Sequence, residues 1–117
     1  MPFPLTGTRE QTMTSDAAIR LCATDDLAEG ELRRFEFDGL DPVVLCRVGD
    51  DFLAVDDECT HAIASLSEGR LEGEILFCPL HGGSFNVRSG KACSLPCKQK
   101  LRTYPVEIVD GAVWMTT

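Results

Sequence analysis

The sequence has no run of apolar residues long enough to span a bilayer, which excludes a membrane protein of the helical kind. Positive charge is scarce: 11 Lys and Arg stand against 19 Asp and Glu, for a formal net charge of −8. Such a surface repels polyanions and excludes nucleic acid as a natural partner. The opening residues, MPFPLTGTREQTMTSD, carry neither a basic cluster nor an apolar core of signal-peptide length, which points to a cytoplasmic protein. The cysteines are then read as thiols rather than as a disulfide framework, with Cys22, Cys46, Cys93 and Cys97 reduced. Cys93 and Cys97 form a C-x3-C pair of the kind that can oxidise or bind metal, though a loop with incidental cysteines accounts for it more simply. At 117 residues there is room for one domain and none for a second, catalytic one.

Helical periodicity is also nearly absent. Only 24–31 has helical character, with Thr24 or Asp25 as N-cap. Instead, short apolar runs at 19–22, 32–37, 43–48, 52–55, 74–77, 84–87, 106–109 and 112–115 read as strands of four to six residues. Turn residues separate them: Asp38-Gly39, Gly49-Asp50-Asp51, Glu72-Gly73, Ser89-Gly90 and Asp110-Gly111, the last with the length of a tight hairpin. Residues 1–16 have no apolar period and read as a flexible extension, leaving 17–117 as a single all-β domain.

What is present is a pairing of soft and imidazole ligands. Cys59-Thr60-His61 is followed after sixteen residues by Cys78-Pro79-Leu80-His81, a C-x-H…C-x-x-H arrangement. Common zinc modules draw like ligands from each half, two cysteines and then two histidines. Here each half supplies one of each. A Rieske [2Fe-2S] centre needs that mixture, because two thiolates hold one iron and two imidazoles the other. If the two loops face each other, Cys59 and Cys78 reach one iron while His61 and His81 reach the second. Zinc remains the main competitor, ahead of two buried core thiols and two ordinary surface histidines.

The stretch DECTHAIASLSEGRLEGEILFCPLHGGSFNV, from Asp57 to Val87, resembles the cluster-binding half of Rieske-type ferredoxins, and the flanks are compatible with the remaining half. The resemblance implies a Rieske fold: an antiparallel β-sandwich or barrel-like base with a smaller cluster-binding subdomain at about 57–87. It also implies Pro96 in a third loop over the cluster. Gly82-Gly83 lets backbone approach the sulfurs, and Ala62, Ile63, Leu80 and the Leu95-Pro96 segment are expected to shield them.

Two departures from the high-potential Rieske proteins of quinol-oxidising complexes bear on function. Ala64 and Leu80 stand where those proteins carry a bracing disulfide, so that bond cannot form. Gly83 and Phe85 stand where they carry serine and tyrosine hydroxyls that donate toward sulfur. Fewer such donors mean a lower potential, expected around −150 mV, unless the hydroxyl of Ser84, close in sequence, turns inward and raises it.

The resemblance thus implies an electron carrier, not an enzyme: a monomeric ferredoxin component taking electrons from an NADH-dependent flavoprotein ferredoxin reductase to a terminal aromatic-ring oxygenase. The alternatives are a Rieske-like small subunit of a stable complex, as in nitrite reductase, and a zinc-binding interaction module. Acid beside the first ligand, Asp56-Asp57-Glu58, is expected to steer docking to basic partner surfaces.

Overall fold

A computed structural model describes residues 18–60, 64–80, 83–94 and 99–116. Among these, eleven strands form three antiparallel sheets. The first sheet has the order β1-β11-β10, from Ala18–Ala23, Ala112–Thr116 and Val106–Val109. The second is β2-β3-β4-β9, from Leu32–Phe37, Leu40–Val48, Asp51–Asp56 and Thr103–Tyr104. The third is β5-β6-β7-β8, from Arg70–Glu72, Ile75–Phe77, Ser84–Asn86 and Ala92–Ser94.

Strand β3 explains how the layers stack. Successive side chains of a strand point to opposite faces, and a strand covered on both faces reads as a continuous apolar run. Val43, Val44, Leu45 and Cys46 are all buried. Val43 and Leu45 pack with Leu21, Val113 and Met115 of the first sheet. Val44 and Cys46 pack with Leu76, Phe85 and Val87 of the third, and with Cys59 and Cys78. The second sheet is therefore the middle layer, with a core on either side. The expected all-β fold of antiparallel sheets is present, and the third sheet, from Arg70 to Ser94, packs on the middle layer.

The hairpin at Asp110-Gly111 has both residues at positive φ, 51° and 74°, as a tight two-residue turn of the primed kind requires. The expected helix over 24–31 is not formed. Only a single 3-10 turn, Thr24–Asp26, occurs, and Leu27 leaves it in extended conformation. Tertiary contacts decide this: Leu27 is buried in the core between the first and second sheets and its carbonyl accepts from Arg47 Nη1 at 2.8 Å. Eight residues are too few to nucleate a helix against such competition. Strands β5, β8 and β9 coincide with none of the apolar runs; each is two or three residues long and forms where a neighbouring strand supplies the edge. No helix among the described residues is long and apolar enough to cross a membrane.

Candidate metal centre

The first ligand segment leaves the end of β4 and turns back at once. Glu58 and Ser65 form an isolated antiparallel bridge, and the Cys59 N–H donates to the Ala64 carbonyl at 3.0 Å. The second segment joins β6 to β7, and there the Cys78 N–H donates to the Gly83 carbonyl at 2.8 Å. Each loop is thus closed by the same bond, from the cysteine N–H to the carbonyl five residues on. His61 lies between the closing residues of the first loop and His81 between those of the second.

The two cysteines meet. Each is 4% exposed, both belong to one core with Cys46, Leu76 and Phe85, and their sulfurs lie within hydrogen-bonding reach of one another. Burial raises the Cys78 thiol above its ordinary pKa, the neighbouring Cys59 adds to the rise, and the Leu80 N–H opposes it by donating to Cys78 Sγ at 3.5 Å. Two adjacent sulfurs in a dry site hold each other's protons on, whereas a bound cation would stabilise both as thiolates. An amide aimed at sulfur suits a thiolate-held iron centre. This donor set fits the Cys-ligated half of a [2Fe-2S] cluster. The histidines fall outside the described residues, as do Ala62, Ile63, Gly82, Leu95, Pro96 and Cys97.

Other expectations are refined. Phe85 is fully buried against the two cysteines and has no hydroxyl to give. The Ser84 hydroxyl is engaged 2.7 Å from that of Ser94. In the β6–β7 register Ser84 pairs with Phe77, so it projects from the sheet face opposite Leu76 and Phe85. Leu80, expected as a shield, is 42% exposed and offers apolar surface to solvent. Cys93 is exposed on β8, its thiol near the Lys91 carbonyl at 3.6 Å.

The acid run does not form the docking patch expected of it. Asp56 accepts from the Tyr104 hydroxyl at 2.5 Å and lies 3.5 Å from Arg102. Asp57 is buried and ion-paired with Arg34, leaving only Glu58 exposed. Two connections had no signal in local sequence. One is Arg34 to Asp57; the other runs from Thr60 to the segment at Gln99. Both span more than twenty residues and depend on how the loops are folded back.

Residues 17–105 match the Rieske [2Fe-2S] domain. Ferredoxin CarAc of Metapseudomonas resinovorans is 45% identical over 97 residues, covering 83% of this chain and 91% of that protein. The ferredoxin component of biphenyl 2,3-dioxygenase from Rhodococcus jostii is 46% identical over 92 residues, covering 79% and 85%. Among solved structures, a ferredoxin in a complex of reduced oxygenase and oxidized ferredoxin in carbazole 1,9a-dioxygenase superposes with a TM-score of 0.82 at 45% identity. That alignment covers 84% of this chain and 91% of that one. The class that the fold and these relatives define is an iron–sulfur electron carrier rather than a catalyst. The chain belongs to the Rieske [2Fe-2S] family, whose cofactor is a single Rieske-type cluster.

Proposed function

We propose that this chain shuttles single electrons from an NADH-dependent flavoprotein reductase to the terminal oxygenase of an aromatic-ring dioxygenase system. The observation that carries this reading is the meeting of Cys59 and Cys78 at two identically closed loops, in a chain 45% identical to CarAc. A ferredoxin of that degree of identity occurs in complex with its oxygenase.

In this reading Cys59 and Cys78 hold one iron as thiolates, and His61 and His81 hold the other through their imidazoles. When bound, the cluster supplies a store for one electron. The remaining work belongs to the chain. Leu76 and Phe85 keep water from the sulfurs, and the Leu80 N–H favours the ionised form of Cys78. The histidine edges form the electron portal. Residues 17–117 act as one domain with 57–87 as its cluster-bearing part, residues 1–16 are an extension outside it, and the carrier works as a cytoplasmic monomer.

A redox titration of the purified protein followed by EPR tests this. A reduced-state signal of low average g, appearing around −150 mV, is the expected result. A strongly positive potential would point to quinol chemistry, and zinc in metal analysis without any signal would overturn the reading. His81→Ala should abolish the normal signal. Gel filtration with reductase and oxygenase should leave the carrier free, whereas a permanent subunit would co-elute.

A further inference from the structure

Asp57 is the most heavily engaged side chain beside the metal centre. It is 2% exposed, two residues before Cys59. Its carboxylate accepts from Arg34 Nε at 3.0 Å, from the Ser67 N–H at 2.8 Å and from the Ser65 hydroxyl. Its backbone is used as well: the N–H donates to the Pro42 carbonyl at 3.0 Å, and its own carbonyl accepts from Leu66 N–H at 2.7 Å. One residue thereby ties the start of the first ligand loop to its far end and to strands β2 and β3.

A buried carboxylate is costly unless paired and hydrogen-bonded, and removing its partner exposes the whole penalty. Here the pairing is incomplete in charge. Arg34 is 39% exposed and shares its guanidinium with Glu36, so solvent weakens its reach while Asp57 acts from inside. Asp57 and Cys59 are two residues apart in the chain, so their Cα atoms lie within about 7 Å of each other. A fixed negative charge at that range disfavours an added electron.

We propose that Asp57 is the positioning residue of the Cys59 loop and that its charge, only partly offset by Arg34, holds the cluster's reduction potential down. This rests on Cys59 being a cluster ligand, the reading given above. It adds a charge contribution to the missing hydroxyl donors as a cause of low potential.

The test is EPR-monitored redox titration of the cluster-loaded full chain at pH 8, comparing Asp57→Asn, Arg34→Gln and Ser65→Ala. Asp57→Asn should raise the affinity for the electron roughly tenfold, equal to about 59 mV for a one-electron couple. Arg34→Gln should shift it in the opposite direction. Ser65→Ala keeps both charges and should leave the potential in place while the cluster is lost faster on dilution into chelator. A merely structural brace makes a different prediction, because Asp57→Asn and Arg34→Gln break the same ion pair. Shifts of the same sign, or none, would overturn the proposal. If Asp57→Asn does not fold, Arg34→Gln against Ser65→Ala decides: a lowered potential in the first alone supports it, and an unmoved one overturns it. A wild-type protein without the low-g signal would instead defeat the ligand reading and this inference with it.

Discussion

The Thr60 hydroxyl donates a 3.0 Å hydrogen bond to the backbone carbonyl of Gln99, 39 residues away. Thr60 stands between Cys59 and His61, so this bond fastens the first ligand loop to the segment that follows Cys97. A neutral hydrogen bond at a partly exposed site contributes about 1 kcal/mol. Thr60→Val, which keeps the shape and removes the donor, should lower stability by no more than that in urea unfolding. It should shorten the cluster's half-life in chelator more visibly, and Thr60→Ser should restore it.

Gly90 and Gly69 are required by close approach. A Cβ on Gly90 would lie 2.3 Å from the Leu101 carbonyl oxygen, at φ +78°, and one on Gly69 would lie 1.8 Å from the carbonyl oxygen of Phe77, just before Cys78. Gly39 has φ +81° and open space. Gly39→Ala should cost about 1 kcal/mol, the left-handed backbone penalty alone. Gly90→Ala and Gly69→Ala should each cost clearly more by thermal or urea unfolding, because backbone atoms must move as well.

The thiols should differ sharply in reactivity. Cys93 is exposed, whereas Cys22 and Cys46 are buried and burial raises both thiol pKa values, that of Cys46 to about 12. Only thiolate reacts, so at pH 8 Cys46 stays protonated and inert. Peptide mapping after brief iodoacetamide treatment of the native protein should find Cys93 modified while Cys22 and Cys46 remain intact until denaturant is added. Early labelling of Cys46 would contradict its placement in the core.

Tyr104 is the chain's one tyrosine, so phenolate absorbance reports it alone. Burial, then its bond to Asp56 and the charge of that carboxylate, raise its pKa to about 12. The stability this linkage contributes is complete below the unfolded value near 10 and is lost as pH rises through about 12. Phenolate should therefore appear late, and stability should fall across pH 10 to 12. Tyr104→Phe should flatten that fall, and ionisation near pH 10 in the native protein would refute the burial argument.

Ser84 has its hydroxyl beside that of Ser94, on the sheet face opposite Leu76 and Phe85, which pack with Cys78. Ser84→Ala should then move the reduction potential by less than about 30 mV, or roughly 0.7 kcal/mol for one electron. A larger drop would mean that the hydroxyl reaches a sulfur after all.

Much of the sheet framework was legible because its signals are local. The runs at 32–37 and 106–109 became strands with those bounds, and Asp110-Gly111 closes the hairpin its chemistry demands. The 43–48 run extended to Leu40, since Asp38-Gly39 forms a turn tight enough to pair Phe37 with Leu40. The helix over 24–31 failed for a non-local reason, the burial of Leu27 and the reach of Arg47 to its carbonyl. In the same way Asp56-Asp57-Glu58 looks like one acidic patch when read along the chain. In the fold Tyr104, Arg34 and solvent each claim one member.

By itself, then, the sequence determined the all-β character and the family, and it supplied the four donors on which the proposed function rests, because ligand type, spacing and turn residues are properties of a few consecutive residues. Only the tertiary structure decided that the Cys59 and Cys78 sulfurs share one dry core, that β3 is covered on both faces, and that Asp57 is a buried brace instead of a surface charge. Burial and charge pairing arise from segments remote in sequence closing on one another, and no local pattern records which segments those will be.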